Sequence, residues 1–348
     1  MDFLNDFKTL AKGDKIRTDN NIFKLHYKFS VLLLIAFSVL LSSKQYFGDP
    51  INCDVEAHKE TVEVFCWVTG TFVIEDNTPE ENFIYGLGNE AGKRTYTLLF
   101  YQWICLLFFL QALLFYMPRY LWKTWEGNRL GEVVDGLGGP LISEKWSPDR
   151  KEQIKRFILN QENHDIFAYR FAICEVLNLC NLIIQVYIMD WYLEGRFSLY
   201  GYDVVTKPWP QTYNAVFPKR TKCTYHKFGQ SGSFVNRDAL CVLPLNVLNE
   251  KFFLILWFWI AGLFLLTIAA LIYRAMIICW VHFRLYILIA QARTFNRKKL
   301  RIIVWNISHG QFFLLYNVGK NMNPLIFKEF LNFVFHQLEI KGDDFSNL

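Results

Sequence analysis

The segment Leu98–Pro118, LLFYQWICLLFFLQALLFYMP, carries no charged side chain in 21 residues. As a helix rising 1.5 Å per residue it reaches roughly 30 Å, the thickness of a bilayer's hydrocarbon core. A second run, Phe252–Tyr273 (FFLILWFWIAGLFLLTIAALIY), is equally free of charge. Two weaker stretches complete the pattern. Phe29–Ser43 is short, and spans only if Tyr27 and Tyr46 anchor it in the interfaces. Ile166–Met189 contains Arg170 and Glu175, each costing about 2.5–3.5 kcal/mol near the bilayer centre. Arg170 lies near the end, where it can snorkel. The mean hydropathy is only +0.15 because polar loops make up much of the remaining chain.

Orientation follows from the basic residues. The segments 1–28, 119–170 and 274–348 together hold 25 Lys and Arg, against 12 in 44–97 and 190–251. The positive-inside rule then places both termini and the middle loop in the cytosol. The first apolar run lacks the features of a cleavable signal peptide. The expected organisation is an N-terminal segment 1–28, spans at 29–45, 98–118, 166–189 and 252–273, extracellular loops 46–97 and 190–251, a cytosolic loop 119–165 and a cytosolic region 274–348. Each extracellular loop holds two cysteines, Cys53 and Cys66 in the first, Cys223 and Cys241 in the second. On the oxidising side such cysteines form disulfides. Four cysteines allow three pairings, and the residues alone do not choose among them. Cys105, Cys174, Cys180 and Cys279 are expected to be reduced and packed. The fold class is an all-α membrane protein with four transmembrane helices, disulfide-stapled extracellular loops and a helical cytosolic domain.

The net charge is +5, but loop 44–97 holds ten acidic residues against four basic ones. That excess reads either as a solvated surface or as a vestibule that concentrates cations at a pore mouth. Cys174, Asn178, Asn181 and Gln185 share one face of the third span with Glu175 beside them, and such a face avoids lipid. Met1–Leu10 is amphipathic, with Phe3, Leu4, Phe7 and Leu10 opposite Asp2, Asn5 and Asp6. Arg293, Arg297, Lys298, Lys299 and Arg301 form a basic cluster that suits a neighbouring subunit or lipid headgroups. Phe312, Phe313, Leu314, Leu331, Phe333 and Phe335 make the C-terminal region too apolar for a disordered tail. No HExxH, Walker loop, CxxC or Gly-x-Ser-x-Gly is present, and the seven His show no metal spacing. No enzyme, cofactor, metal or nucleic-acid reading is supported.

Phe100-Tyr101-Gln102-Trp103-Ile104, running on through Phe115-Tyr116-Met117-Pro118 to Trp125-Glu126-Gly127, resembles the second span of the innexins, the invertebrate gap-junction proteins. The family's Tyr-Tyr-Gln-Trp-Val appears with Phe100 and Ile104 as close replacements. Phe217-Pro218, Lys222-Cys223, Cys241-Val242-Leu243-Pro244-Leu245-Asn246, Asn249-Glu250-Lys251 and Cys66-Trp67 resemble the family's external loops. The resemblance implies nested inter-loop bridges, Cys53 with Cys241 and Cys66 with Cys223. It also implies an N-terminus folded into the pore, with Met1, Asp2, Asn5 and Asp6 as pore and gate candidates. A homo- or hetero-oligomer, with eight subunits suggested, would lie in the plasma membrane at gap junctions. It would contact membrane lipids and dock onto a second hemichannel on the adjacent cell. Passive passage of ions and small metabolites is the expected function. The alternatives are an undocked hemichannel of the same fold and a four-span adhesion or scaffold protein without a pore. Pro118 is expected to end the second span or to hinge it.

Overall fold

The structure is a computed structural model that describes residues 16–75, 87, 94–98, 100–139, 146–160, 164–207 and 216–346. Among the described residues, four helical segments are long and apolar enough to cross a membrane: Asn21–Phe47, Ile104–Glu126, His164–Tyr192 and Pro244–Cys279. The first comprises α1 (Asn21–Lys24), a π-helical stretch (Leu25–Ser30) and α2 (Val31–Phe47). Between it and the second lie β1 (Asn52–Asp54), α3 (Lys59–Thr69), β2 (Thr71–Glu75) and β3 (Arg94–Leu98). The second is α4 (Ile104–Glu126), followed by α5 (Arg129–Val134) and α6 (Pro148–Lys155). The third is α7 (His164–Tyr192), followed by α8 (Tyr200–Thr206), β4 (Arg220–Phe228) and β5 (Phe234–Val242). The fourth is α9 (Pro244–Cys279), after which α10 (Val281–Gln291), α11 (Arg297–Trp305), α12 (His309–Asn321) and α13 (Pro324–Ser346) complete the chain.

The helices depart from the expected bounds in physically informative ways. Leu98, the expected start of the second span, closes β3, and α4 begins only at Ile104. Pro118 does not end the helix; it sits inside α4, which continues to Glu126. Proline costs the helix one hydrogen bond, to the carbonyl four residues earlier, and the remaining ladder carries the helix onward. Tyr27 is not an interfacial anchor either. It is buried, and its hydroxyl donates to Asp19 Oδ2 at 3.0 Å. Tyr46 is 74% exposed, as an anchor should be.

The chain divides into two compact units. One contains Phe29–Phe115 and Asn181–Phe264. Its non-membrane part is built on a five-stranded antiparallel sheet of order β1-β5-β4-β2-β3. The helical class therefore holds, with a sheet in the stapled loops that the helical reading did not specify. The β4–β5 hairpin pairs nine residues on each side, from Arg220 opposite Val242 to Phe228 opposite Phe234. Its loop, Gly229-Gln230-Ser231-Gly232-Ser233, includes Gly232 at φ 76°, where a side chain would be strained. Among the membrane helices of this unit, Phe37 stacks on Phe252 and meets Phe108, and Ser38 donates to the Cys105 carbonyl at 2.8 Å.

The other unit holds the chain up to Lys28, Tyr116–Cys180 and everything from Leu265. Phe312, Phe313, Leu314, Leu331 and Phe335 are buried in its core, and Trp122 is fully buried against Phe167 and Phe171. Arg284 of α10 caps the end of the fourth span, donating to the carbonyls of Ile277 (2.6 Å) and Ile278 (2.7 Å). These are among the carbonyls a helix end leaves without partners. α12 opens with a complete capping box, in which Ser308 and Gln311 satisfy each other's backbone.

Large apolar side chains remain exposed along the four long helices, among them Leu32, Leu40, Phe109, Leu110, Ile183, Ile184, Phe258 and Leu265. Apolar exposure on that scale suits hydrocarbon rather than water.

Candidate channel-forming elements

In the sheet-bearing unit, Cys53 is bonded to Cys241 and Cys66 to Cys223. This is the nested arrangement, each bridge joining the first loop to the second. Cys53 and Cys241 are direct partners across the β1–β5 ladder. Cys66 reaches β4 from α3. All four sulfur-bearing residues are buried. The bridges have sequence separations of 188 and 157 residues, and in the chain-entropy model the first to close stabilises by about 5 kcal/mol, the second by less because it closes only a short ring.

The Tyr101-Gln102-Trp103 motif lies on the short 3₁₀ turn Phe100–Gln102 and the step into α4. Tyr101 is buried with its ring 5.0 Å from that of Trp67, and Gln102 Nε2 donates to the Trp67 carbonyl. Trp67 follows the bridging Cys66, so the motif fastens the top of the second span to the disulfide-held helix α3. Trp103 is 60% exposed. The second-loop motif works in the same way. Asn246 Nδ2 donates to the Pro218 carbonyl at 2.9 Å, and Asn249 donates to Asn246 at 3.1 Å. Glu250 is fully buried between Lys219 and Lys251, each at 2.8 Å. These contacts tie the base of the hairpin to the start of α9.

In the other unit, the residues leading into the first span are held by charge. Asp19 is buried and accepts from Arg119 at 2.6 Å and from Tyr27, while Lys320 donates to its carbonyl at 3.0 Å. Arg17 and Asn321 exchange two hydrogen bonds through the Arg17 backbone. Asn20 caps α1 through Phe23 N and donates to Glu175 Oε1 at 2.6 Å. Glu175, an apparent liability in the third span, accepts twice from Arg274. The Arg274 guanidinium lies over the rings of Phe171 and Phe313. Asn20, His26, Glu175, Asn178 and Thr267 line a small cavity with room for about one water molecule. Asp19, Asn20, Arg119 and Arg274 were not singled out from the sequence. A buried acid in the third span signals the need for such a partner, but not which basic residue supplies it.

The polar face of the third span is buried throughout. Cys174 and Asn178 lie inside one unit, while Asn181 and Gln185 lie inside the other, where Gln185 donates to Asn181. The face is buried among packed helices, with Asn178 also lining the cavity beside Glu175. Met1, Asp2, Asn5 and Asp6 lie outside the described residues, as do Asp76, Glu80, Glu81 and Glu90 of the acidic loop. Of the described acids in that loop, Glu63 accepts from the Cys53 backbone at 3.1 Å, a structural use. The basic cluster falls on and before α11, with Arg293, Arg297, Lys298 and Arg301 exposed. Lys299 Nζ sits 4.7 Å over the Phe335 ring.

Four apolar spans and two inter-loop disulfides around a sheet define a multi-pass membrane protein with a rigidly stapled loop region. The innexin family model matches residues 19–338. Innexin inx2 of Schistocerca americana is 42% identical, with 98% of this chain and 99% of that protein covered. Innexin inx2 of Drosophila melanogaster is 40% identical over 99% of this chain and 98% of its own length. Innexin shaking-B of Drosophila melanogaster is 34% identical, with 94% and 92% covered. The chain belongs to the innexin family. Innexins are gap-junction channel proteins that form oligomers, and this chain is a subunit of that kind.

Proposed function

We propose that copies of this chain, or of this chain and a related one, form a ring around an aqueous pore in the plasma membrane. Two such rings, one from each of two adjacent cells, dock through the disulfide-bearing unit. The resulting conduit passes ions and small metabolites passively, and the protein performs no chemical step. Eight subunits per ring is the number the family resemblance suggests. Both termini lie in the cytosol, because basic residues are concentrated on that side.

The observation that carries the docking reading is the double clamp of Cys53–Cys241 and Cys66–Cys223 on one sheet. A surface ordered before contact avoids the entropy cost of ordering during it. The pore reading places Met1, Asp2, Asn5 and Asp6 at the cytosolic-side constriction. Its support is the anchoring of buried Asp19 and half-buried Asn20 at the start of the first span, from which a short segment can turn into the conduit. Expression in paired cells, with dye transfer and junctional conductance recorded, tests the proposal. Coupling between the paired cells is the expected result. Conductance in single cells without transfer between pairs would restrict the function to an undocked channel. Neither signal from protein at the cell surface would leave a poreless adhesion protein.

A further inference from the structure

Among the described residues, none of its own unit covers the apolar face that helix α8 presents in the second external loop. Leu199, Tyr202 and Val205 are 62%, 60% and 70% exposed. They fall at i, i+3 and i+6, within one side of the helix. Tyr200 and Gly201 are buried on the opposite side. This helix is pinned to a membrane helix. Trp257 of α9 donates from its indole nitrogen to the Ser198 carbonyl at 3.1 Å. A Cβ on Gly201 would collide with the Trp257 ring, so the backbone of α8 lies directly against that ring. Tyr200 donates to the Glu250 carbonyl and sets its ring edge against Phe217.

Trp257 lies five residues inside the charge-free run Phe252–Tyr273. At 1.5 Å per residue that is roughly 8 Å from the start of the run. The attachment therefore holds α8 at the depth where headgroups meet acyl chains, the level of an interfacial amphipathic helix. The neighbouring end of α7 carries Tyr187 and Trp191, 71% and 74% exposed, which continue the aromatic belt. Lys207 and Asp203 pair at 2.9 Å at the C-terminal end of the helix, leaving its apolar face free of charge.

We propose that α8 is a membrane-interfacial foot, seating Leu199, Tyr202 and Val205 in the outer leaflet and fixing the second external loop to the bilayer. The partner is lipid, at the acyl–headgroup boundary. The inference rests on the channel topology proposed above for its side of the membrane, but its lipid contact is measured independently of sidedness. Val205→Cys is labelled with a small fluorophore in the purified assembly in nanodiscs, and the wild-type chain treated identically is the blank for the native thiols. Nitroxide placed high on the lipid acyl chains should quench the label about threefold, while aqueous iodide quenches it far less than a label at Ser231→Cys in the hairpin loop. Strong iodide quenching without lipid quenching would put α8 in water. Protection from both quenchers would bury it between subunits. Either result overturns the proposal. If Val205→Cys does not assemble, Leu199→Cys carries the same comparison. An impermeant thiol reagent applied to intact cells expressing Ser231→Cys tests sidedness separately, so a wrong topology and a wrong lipid contact give different failures.

Discussion

Glu175 of the third span and Arg274 of the fourth are joined by two hydrogen bonds, 2.6 and 3.0 Å long, with both side chains nearly fully buried. Asn20 donates a third to the same carboxylate. A buried carboxylate is costly unless it is paired and its lone pairs are used, and here both conditions are met. The pair makes a charged third span tolerable and ties it to the entrance of the first.

Removing one partner strands the other. Glu175→Gln or Arg274→Met should destabilise the purified protein by about 3–5 kcal/mol, while Glu175→Leu with Arg274→Met should cost much less than the sum. Thermal unfolding of the three variants in nanodiscs checks this. Additive losses in the double variant would show that the two groups do not act as a pair.

Breaking the Cys66–Cys223 bridge should disorder the loops. Cys66→Ser or Cys223→Ser should each cost about 4 kcal/mol in the chain-entropy model, because the remaining Cys53–Cys241 bridge lets only a short ring reopen, and should abolish junctional coupling. Mass mapping of the non-reduced protein should find no free thiol at Cys53, Cys66, Cys223 or Cys241. Normal coupling by a Cys223→Ser channel would contradict the structural role.

His309 supplies a pH dependence. Its burial, then the nearby Arg284 and Arg274, push its pKa down to about 4, with Asp165 opposing. Tyr169 packs beside its ring. The folded value lies below the unfolded one, so the unfolded chain binds the extra proton between the two. Stability from this group is therefore complete above about 6.5 and declines as pH falls toward 4. His309→Gln should flatten that part of the stability profile. Unfolding midpoints measured between those limits for both proteins decide it, and parallel slopes would assign the acid sensitivity elsewhere.

On the proposed pore placement of the N-terminus, Asp2→Lys combined with Asp6→Lys should sharply reduce cation conductance and leave assembly intact, because a reversed charge would repeat around the ring. Single-channel recording in a salt gradient measures it. Unchanged conductance and selectivity in channels that reach the membrane would place the segment outside the pore.

The sequence alone was enough to establish four spans, their class and the family. Uncharged runs such as Phe252–Tyr273 and motifs such as Tyr101-Gln102-Trp103 are local signals, and a bilayer imposes the same length and polarity on any helix that crosses it. The helix ends were less legible. Leu98 is as apolar as its neighbours, yet its pairing with Thr71 makes it strand. Pro118 marks a break in isolation but not in a helix supported along its length. The sheet was not read from the sequence, although the Gly- and Ser-rich loop 229–233 between β4 and β5 is of the kind that joins a hairpin.

Only the tertiary structure decided the partners. The cysteines alone leave three pairings open, the family resemblance implies the nested one, and in the structure the β1–β5 ladder sets Cys53 opposite Cys241. Glu175 looked like a cost until Arg274, 99 residues away, was brought against it. Asp19 gave no sign of its role until Arg119, Tyr27 and Lys320 converged on it. Propensity and hydropathy are properties of a few adjacent residues. Which distant charge or sulfur lies within a few ångströms is a property of the packed chain, and the energy of pairing depends on that distance.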